Sequence, residues 1–161
     1  MVDPRKVLQI RTIVYPTDFS ELSLQALNHA VTLAEKFDSR LHCIHVVELV
    51  SQYWMAMDSG VVPATPPIED LLAAARKQMK EFIAEYISSD FSVISDVLTG
   101  RTFLEIIQYA RRVNADLIVM GTHGRSAIRQ MLMGSVADKV VHKAPCAVLT
   151  VRDPGHVFEM P

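Results

Sequence analysis

The chemistry this sequence offers gathers in one glycine-bearing stretch and one acidic residue far from it. The stretch reads Met120-Gly121-Thr122-His123-Gly124, runs on for nine residues, and closes on Gly134-Ser135-Val136. Gly121, directly after an apolar run, lets the chain turn sharply, and Gly124 removes a side chain so that backbone amides can approach an anion. At Gly134-Ser135 a helix begins, where free amides and the positive dipole end favour phosphate and the Ser135 hydroxyl adds a donor. Arg125 and Arg129 lie within the excursion, in reach of outer phosphates. Asp18 follows Tyr15-Pro16-Thr17, and its carboxylate can accept hydrogen bonds from a ribose or from the exocyclic amine of a base. Each feature alone has a plainer reading. A glycine pair after a strand is often a tight turn, Asp18 could cap a helix with Glu21, and Ser135 could be an ordinary N-cap. Their conjunction at one crevice points to a nucleotide.

Other side chains offer less. His123 sits inside the glycine loop, where loop packing is favoured over phosphate contact because no base or carboxylate pairs with it. His42 and His45 are three apart in a strand, so they point to opposite faces and cannot share a metal; a core or surface role is expected for both. No metal-ligand spacing occurs. The GxxxxGK[ST] loop and the GxSxG elbow are absent, as are the Ser-Gly-Gly and His-x-Gly-His signatures of adenylating enzymes. The two cysteines, Cys43 and Cys146, lie in strand-forming runs and read as buried free thiols.

The elements that must position these residues alternate. Strand candidates are Thr12–Tyr15 (stopped by Pro16), Leu41–Val47, Phe91–Leu98, Leu117–Met120 and Cys146–Val151. Helical spacing recurs between them. From Ser20 to Phe37 the apolar stripe is Leu22, Ala26, Leu27, Ala30, Val31, Ala34 and Phe37. From Ile68 to Ile87 it is Leu72, Ala75, Met79, Phe82 and Tyr86. Thr102 and Glu105 form a capping-box pattern ahead of Phe103, Ile106, Ile107, Ala110 and Val113, and a last helix spans Ser135 to His142. The polar residues Ser92, Ser95 and Asp96 give the third strand an edge position. The connection from Glu48 to Pro67, with Trp54, Met55, Met57 and Gly60, is long enough to be a functional flap or a disordered segment. The tail after Pro154 is expected to fray.

This pattern predicts an α/β fold: a single-domain, Rossmann-like open parallel sheet of five strands with four helices on both faces. Ligands bind such sheets beyond the carboxyl ends of the strands, where the order reverses. A flavodoxin-like order would put strands one and three there. The glycines, however, follow strand four, which favours the order 3-2-1-4-5 and brings them beside Pro16-Thr17-Asp18. With 161 residues, half of them hydrophobic, the chain fits one domain over residues 1–161 with its core at about 11–152. The net charge of −2 and the scattered Lys and Arg argue against nucleic acid as a partner. No apolar run reaches the length of a bilayer span and none leads the chain, so no membrane association is expected and a cytoplasmic location is.

The spacing Gly-x2-Gly-x9-Gly-Ser, carried by Gly121, Gly124, Gly134 and Ser135, resembles that of the ATP-binding branch of the universal stress protein family. The flanks resemble it too: Ile13 to Asp18, Asn114 to Met120, and Ala144 to Leu149, so that the likeness spans about Arg11 to Arg152. The resemblance implies ATP with Mg2+, its adenine near Pro16, Asp18 and Val46, with Thr17 also among the ATP-binding residues. The phosphates would lie on Met120, Gly121, His123, Gly124, Arg125, Gly134, Ser135 and Val136. It also implies a homodimer through Cys146–Val151, an apolar edge strand that invites pairing on its own account. The expected function is a nucleotide-dependent regulator or stress-response factor with an unknown protein partner. The alternatives are a slow ATPase or AMP-forming enzyme using His123 or Asp18, and an interaction protein whose glycine loop binds no nucleotide.

Overall fold

A computed structural model describes residues 9–48, 67–122 and 133–152. In chain order the elements are β1 (Thr12–Pro16), α1 (Glu21–Phe37), β2 (Arg40–Val47), α2 (Ile68–Tyr86) and β3 (Val93–Thr99), then α3 (Thr102–Arg112), β4 (Leu117–Gly121), α4 (Ser135–Lys143) and β5 (Ala147–Val151). The five strands form one parallel sheet in the order β3-β2-β1-β4-β5, as the position of the glycines predicted. β3 is an edge strand, as its polar residues foretold.

Side-chain alternation divides the core. Ile13, Tyr15, Leu41, Cys43, Leu117 and Val119 point to the face covered by α1 and α2, where they meet Ala26, Leu27, Ala30, Met79 and Phe82. Val14, Ile44, Ile118 and Met120 point to the other face, against Ile106, Tyr109 and Ala110 of α3 and Ala137 and Val140 of α4. The central strands are therefore apolar on both sides, and each fully buried Ile or Val among them contributes about 1.5–3 kcal/mol. Helix α1 starts where the Ser20 side chain accepts from the Ser23 amide, 3.3 Å away, and stops where Asp38 turns left-handed at φ 53°.

Several local expectations are corrected. Phe37 and Tyr86 do not complete their buried stripes; they are 45% and 46% exposed. Each is the last residue of its helix, and the Tyr86 ring meets that of its neighbour Phe82, centroid 5.2 Å away. The Thr102/Glu105 capping box does not form, because Arg101 takes the N-cap position and offers no side-chain bond. Glu48, just past β2, does that work instead: its Oε1 accepts from both the amide and the hydroxyl of Thr102, each at 2.7 Å. Cys146 lies one residue before β5 and is half-buried rather than buried, while Cys43 is buried. The Trp54 loop and the tail after Pro154 lie outside the described residues. Among the described residues no helix is long and apolar enough to cross a membrane.

Candidate functional site

The seam between β1 and β4 is short, and it opens. These strands are in register only at Ile13 with Leu117 and Val14 with Ile118. Beyond that point β1 follows β2, with Pro16 opposite Ile44 and the Thr17 amide donating to the Ile44 carbonyl at 2.9 Å. β4 follows β5 instead, with Gly121 opposite Val151 and the Thr122 amide donating to the Val151 carbonyl at 2.9 Å. Each strand holds to its outer neighbour, so a crevice forms at the carboxyl ends where the strand order reverses.

One wall carries Pro16, Thr17 and Asp18. Thr17 is buried, and its hydroxyl lies 3.0 Å from that of Ser23 while accepting from the Phe19 amide at 3.0 Å. Asp18 is not the cap of α1. Its Oδ1 accepts from the Ser20 amide at 3.1 Å and the Ser20 hydroxyl at 2.6 Å, and it is Ser20 that caps the helix. The Asp18 carboxylate thereby rigidifies the turn and takes a set direction at the rim. Val46, half-buried near the end of β2, packs against the α3/α4 core.

The opposite wall is the end of β4 and the start of α4. Met120 is core, and Gly121 ends the strand. The Gly134 amide donates to the Thr122 carbonyl at 2.7 Å, which closes the excursion and sets α4 beside the crevice. Ser135 is the first helical residue rather than the N-cap; Gly134 holds that position and has no side chain to cap with. Helix geometry leaves the amides of Ser135, Val136 and Ala137 without intrahelical acceptors. Ser135 is exposed, and Val136 is half-buried against the core. His123, Gly124, Arg125 and Arg129 lie outside the described residues.

The structure adds to this wall His45, expected from the sequence in a core or surface role, and Phe19, which sequence reasoning passed over. His45 Nδ1 lies 2.8 Å from the Thr17 carbonyl oxygen. The Phe19 ring sits 4.4 Å from the His45 ring, on a backbone with φ 61°. His42 does point to the opposite face, where Nδ1 lies 3.1 Å from the Tyr109 hydroxyl and burial, reinforced by the Arg40 charge, holds its pKa below the ordinary value. Burial pushes the Tyr15 phenol upward and the Cys43 thiol up to about 12, so neither is reactive chemistry. Among the described residues no His, Cys, Asp or Glu cluster could hold a metal ion. A concavity of about 340 Å³ lined by Arg111, Asn114, Asp116 and Pro145 lies at the amino-terminal end of β4, away from the crevice.

Comparison with known proteins agrees with this architecture. The Universal stress protein family matches residues 9–152. Universal stress protein MJ0531 of Methanocaldococcus jannaschii is 33% identical over 144 residues, spanning 89% of this chain and 83% of its own length. The solved structure of MJ0577, from the same organism, superposes with a TM-score of 0.74 at 25% identity, covering 92% of this chain and all of the other. A universal stress protein solved in complex with cAMP is 25% identical with a TM-score of 0.58, covering 90% of this chain and 98% of its own. The chain belongs to the universal stress protein family.

Proposed function

We propose that the chain is an adenine-nucleotide-binding regulator, taking ATP with Mg2+ in the crevice between β1 and β4 and turning it over slowly or not at all. The observation that carries this reading is the parting of β1 and β4 beside the uncapped start of α4. A triphosphate suits that helix start, because its three unsatisfied amides and the Ser135 hydroxyl are donors and the dipole end is positive. Arg125, His123 and Gly124 stand in the intervening loop of the sequence, where they would meet the outer phosphates. Met120 and Gly121 would floor the crevice, with the base and ribose toward Pro16, Thr17, Asp18 and Val46. The cAMP complex of a related protein supports an adenine nucleotide as the ligand class. Magnesium would travel with the phosphates, whose oxygens are its natural ligands.

Heat denaturation of purified protein, with mass spectrometry of the supernatant and titration of stripped protein with ATP and Mg2+, tests the reading. Ser135→Asp is the matched variant. A carboxylate in the first turn favours the helix, so the fold should hold while phosphate is repelled from the crevice. Loss of ATP binding with unchanged melting supports the proposal; a stripped parent that ignores ATP sinks it. Turnover at roughly one per second or faster would replace the regulator with an enzyme.

We also propose that two copies pair through β5. Its outer edge is uncovered among the described residues, Leu149 on it is 36% exposed and Val141 of the adjoining α4 42% exposed. Sedimentation of the parent beside Leu149→Lys distinguishes a dimer that dissociates from a chain that never paired.

A further inference from the structure

We infer that His45 is a positioning residue for the nucleoside half of the crevice, acting through its hydrogen bond to the Thr17 carbonyl and its contact with Phe19. The inference rests on the adenine-nucleotide reading proposed above.

The turn that leaves β1 is held to β2 from both sides of one residue. The Thr17 amide donates to the Ile44 carbonyl at 2.9 Å, and the Thr17 carbonyl lies 2.8 Å from His45 Nδ1. A carbonyl can only accept, so Nδ1 carries the proton and donates. Two residues on, Phe19 adopts φ 61°, a left-handed conformation that an aromatic residue takes only where its surroundings impose it. Those surroundings are the His45 ring at 4.4 Å and the Phe82 ring of α2 at 5.3 Å. Between the two anchored residues stands Asp18, whose carboxylate direction follows from the turn.

Backbone strain of this kind collects at ligand clamps, where the cost maintains a geometry the ligand uses. Here the strained residue follows directly after the crevice carboxylate, and the side chain against it is the one that also grips the preceding carbonyl. Among the described residues, the contacts that build this turn come from β1, β2 and α2 and none from α4. His45 should therefore govern affinity for the base and ribose and leave the phosphate end alone.

The experiment measures ATP and ADP affinities by calorimetry for the parent, His45→Ala, His45→Asn and Ser135→Asp. Expected is a loss of about tenfold in His45→Ala, by the same factor for ATP and ADP, as one hydrogen bond and a displaced carboxylate would give. His45→Asn, whose side-chain amide can donate from the place of Nδ1, should recover most of it. Ser135→Asp should instead show a factor that depends on the number of phosphates. A purely structural histidine would lower the melting temperature without giving a nucleoside-specific factor or rescue by Asn. Unchanged affinity in His45→Ala, unequal factors for the two nucleotides, or failure of the Asn variant to recover binding overturns the inference alone. A parent that binds neither nucleotide removes it together with the proposed function.

Discussion

Acidification should weaken this fold through His42, and the structure fixes both the sign and the ceiling of the effect. The residue is only 6% exposed on β2, with Nδ1 toward the Tyr109 hydroxyl and, among the described residues, no hydrogen-bond partner for Nε2. With the proton on Nδ1 donated to the Tyr109 hydroxyl, a neutral ring leaves Nε2 as a bare acceptor, a smaller loss than an unpaired N–H. An imidazolium would carry a second buried N–H with nowhere to donate. The charged groups around it do not help. Arg40, on the same strand and face, opposes a second positive charge, and Arg112 of α3 lies with its guanidinium 4.7 Å from the Tyr109 ring centre. Asp96 of β3 would favour the cation, but it stands 3.8 Å from Arg112 and is itself 46% exposed. The folded pKa is accordingly lowered.

An unfolded chain takes up that proton near pH ~6.5, the folded chain only at lower pH. Above about pH 6.5 the residue is neutral in both states and contributes no pH dependence. Below it the unfolded state binds more protons, so stability falls as pH falls, by at most about 1.4 kcal/mol per unit, until the folded pKa is passed and the slope vanishes. Against a typical stability of about 5–15 kcal/mol, one or two units of acidification is a measurable fraction. The assay is urea unfolding followed by circular dichroism at several pH values between about 7.5 and about 4.5, on the parent and on His42→Asn. The Asn variant keeps an atom near Nδ1 for Tyr109 and cannot titrate. The stability difference between the two should be constant above the window and shrink within it. Parallel curves, or a parent that gains stability over the variant in acid, would refute the reasoning.

Two further outcomes follow from single contacts. Glu48→Ala removes the carboxylate bonded to the Thr102 amide and hydroxyl, and should cost about 0.5–2 kcal/mol in urea unfolding, as loss of a helix cap does. The two thiols should separate in a timed reaction with a disulfide reagent at mildly alkaline pH: Cys146, half-buried and its pKa itself raised by burial, reacts slowly in the native protein, whereas Cys43, buried and with its pKa pushed up to about 12, reacts only as the chain unfolds.

The fold was legible because its signals are redundant. Alternating strand and helix patterns named the class, and polar residues in Ser92–Asp96 named one edge. The glycines after the fourth strand named the strand order, since only one of the two common orders puts them at a reversal point. What slipped were ends. Helical spacing predicts that Phe37 and Tyr86 face inward, yet spacing carries no information about where the sheet below a helix stops. Likewise, Thr102 and Glu105 have the residues of a capping box, but the helix begins one residue earlier than the box requires, with Thr102 already its first residue, and a carboxylate from Glu48 satisfies the first turn. That partner lies 54 residues away in the chain, and no local pattern announces it.

Of the candidate crevice, the sequence placed Gly134-Ser135 at a helix start, where the structure has them, and left the other wall half hidden. A motif shows itself through the conjunction of residue types at fixed spacing, and Gly134-Ser135 at a helix start gains its meaning from Gly121 and Gly124 before it. His45 has no such mark, because a histidine in a strand has many uses. Yet the information that locates it was present in the predicted topology. In the order 3-2-1-4-5 the second strand runs beside the first, and alternation puts His45 on the face opposite His42. Being parallel, the strands end together, so a side chain near the end of the second must lie beside the chain leaving the first. That chain is Thr17-Asp18, which the crevice argument had already singled out. A residue of ambiguous type thus becomes informative once topology states which loop it faces, and Phe19, whose left-handed backbone no propensity would suggest, is intelligible only as the residue caught between that loop and that ring.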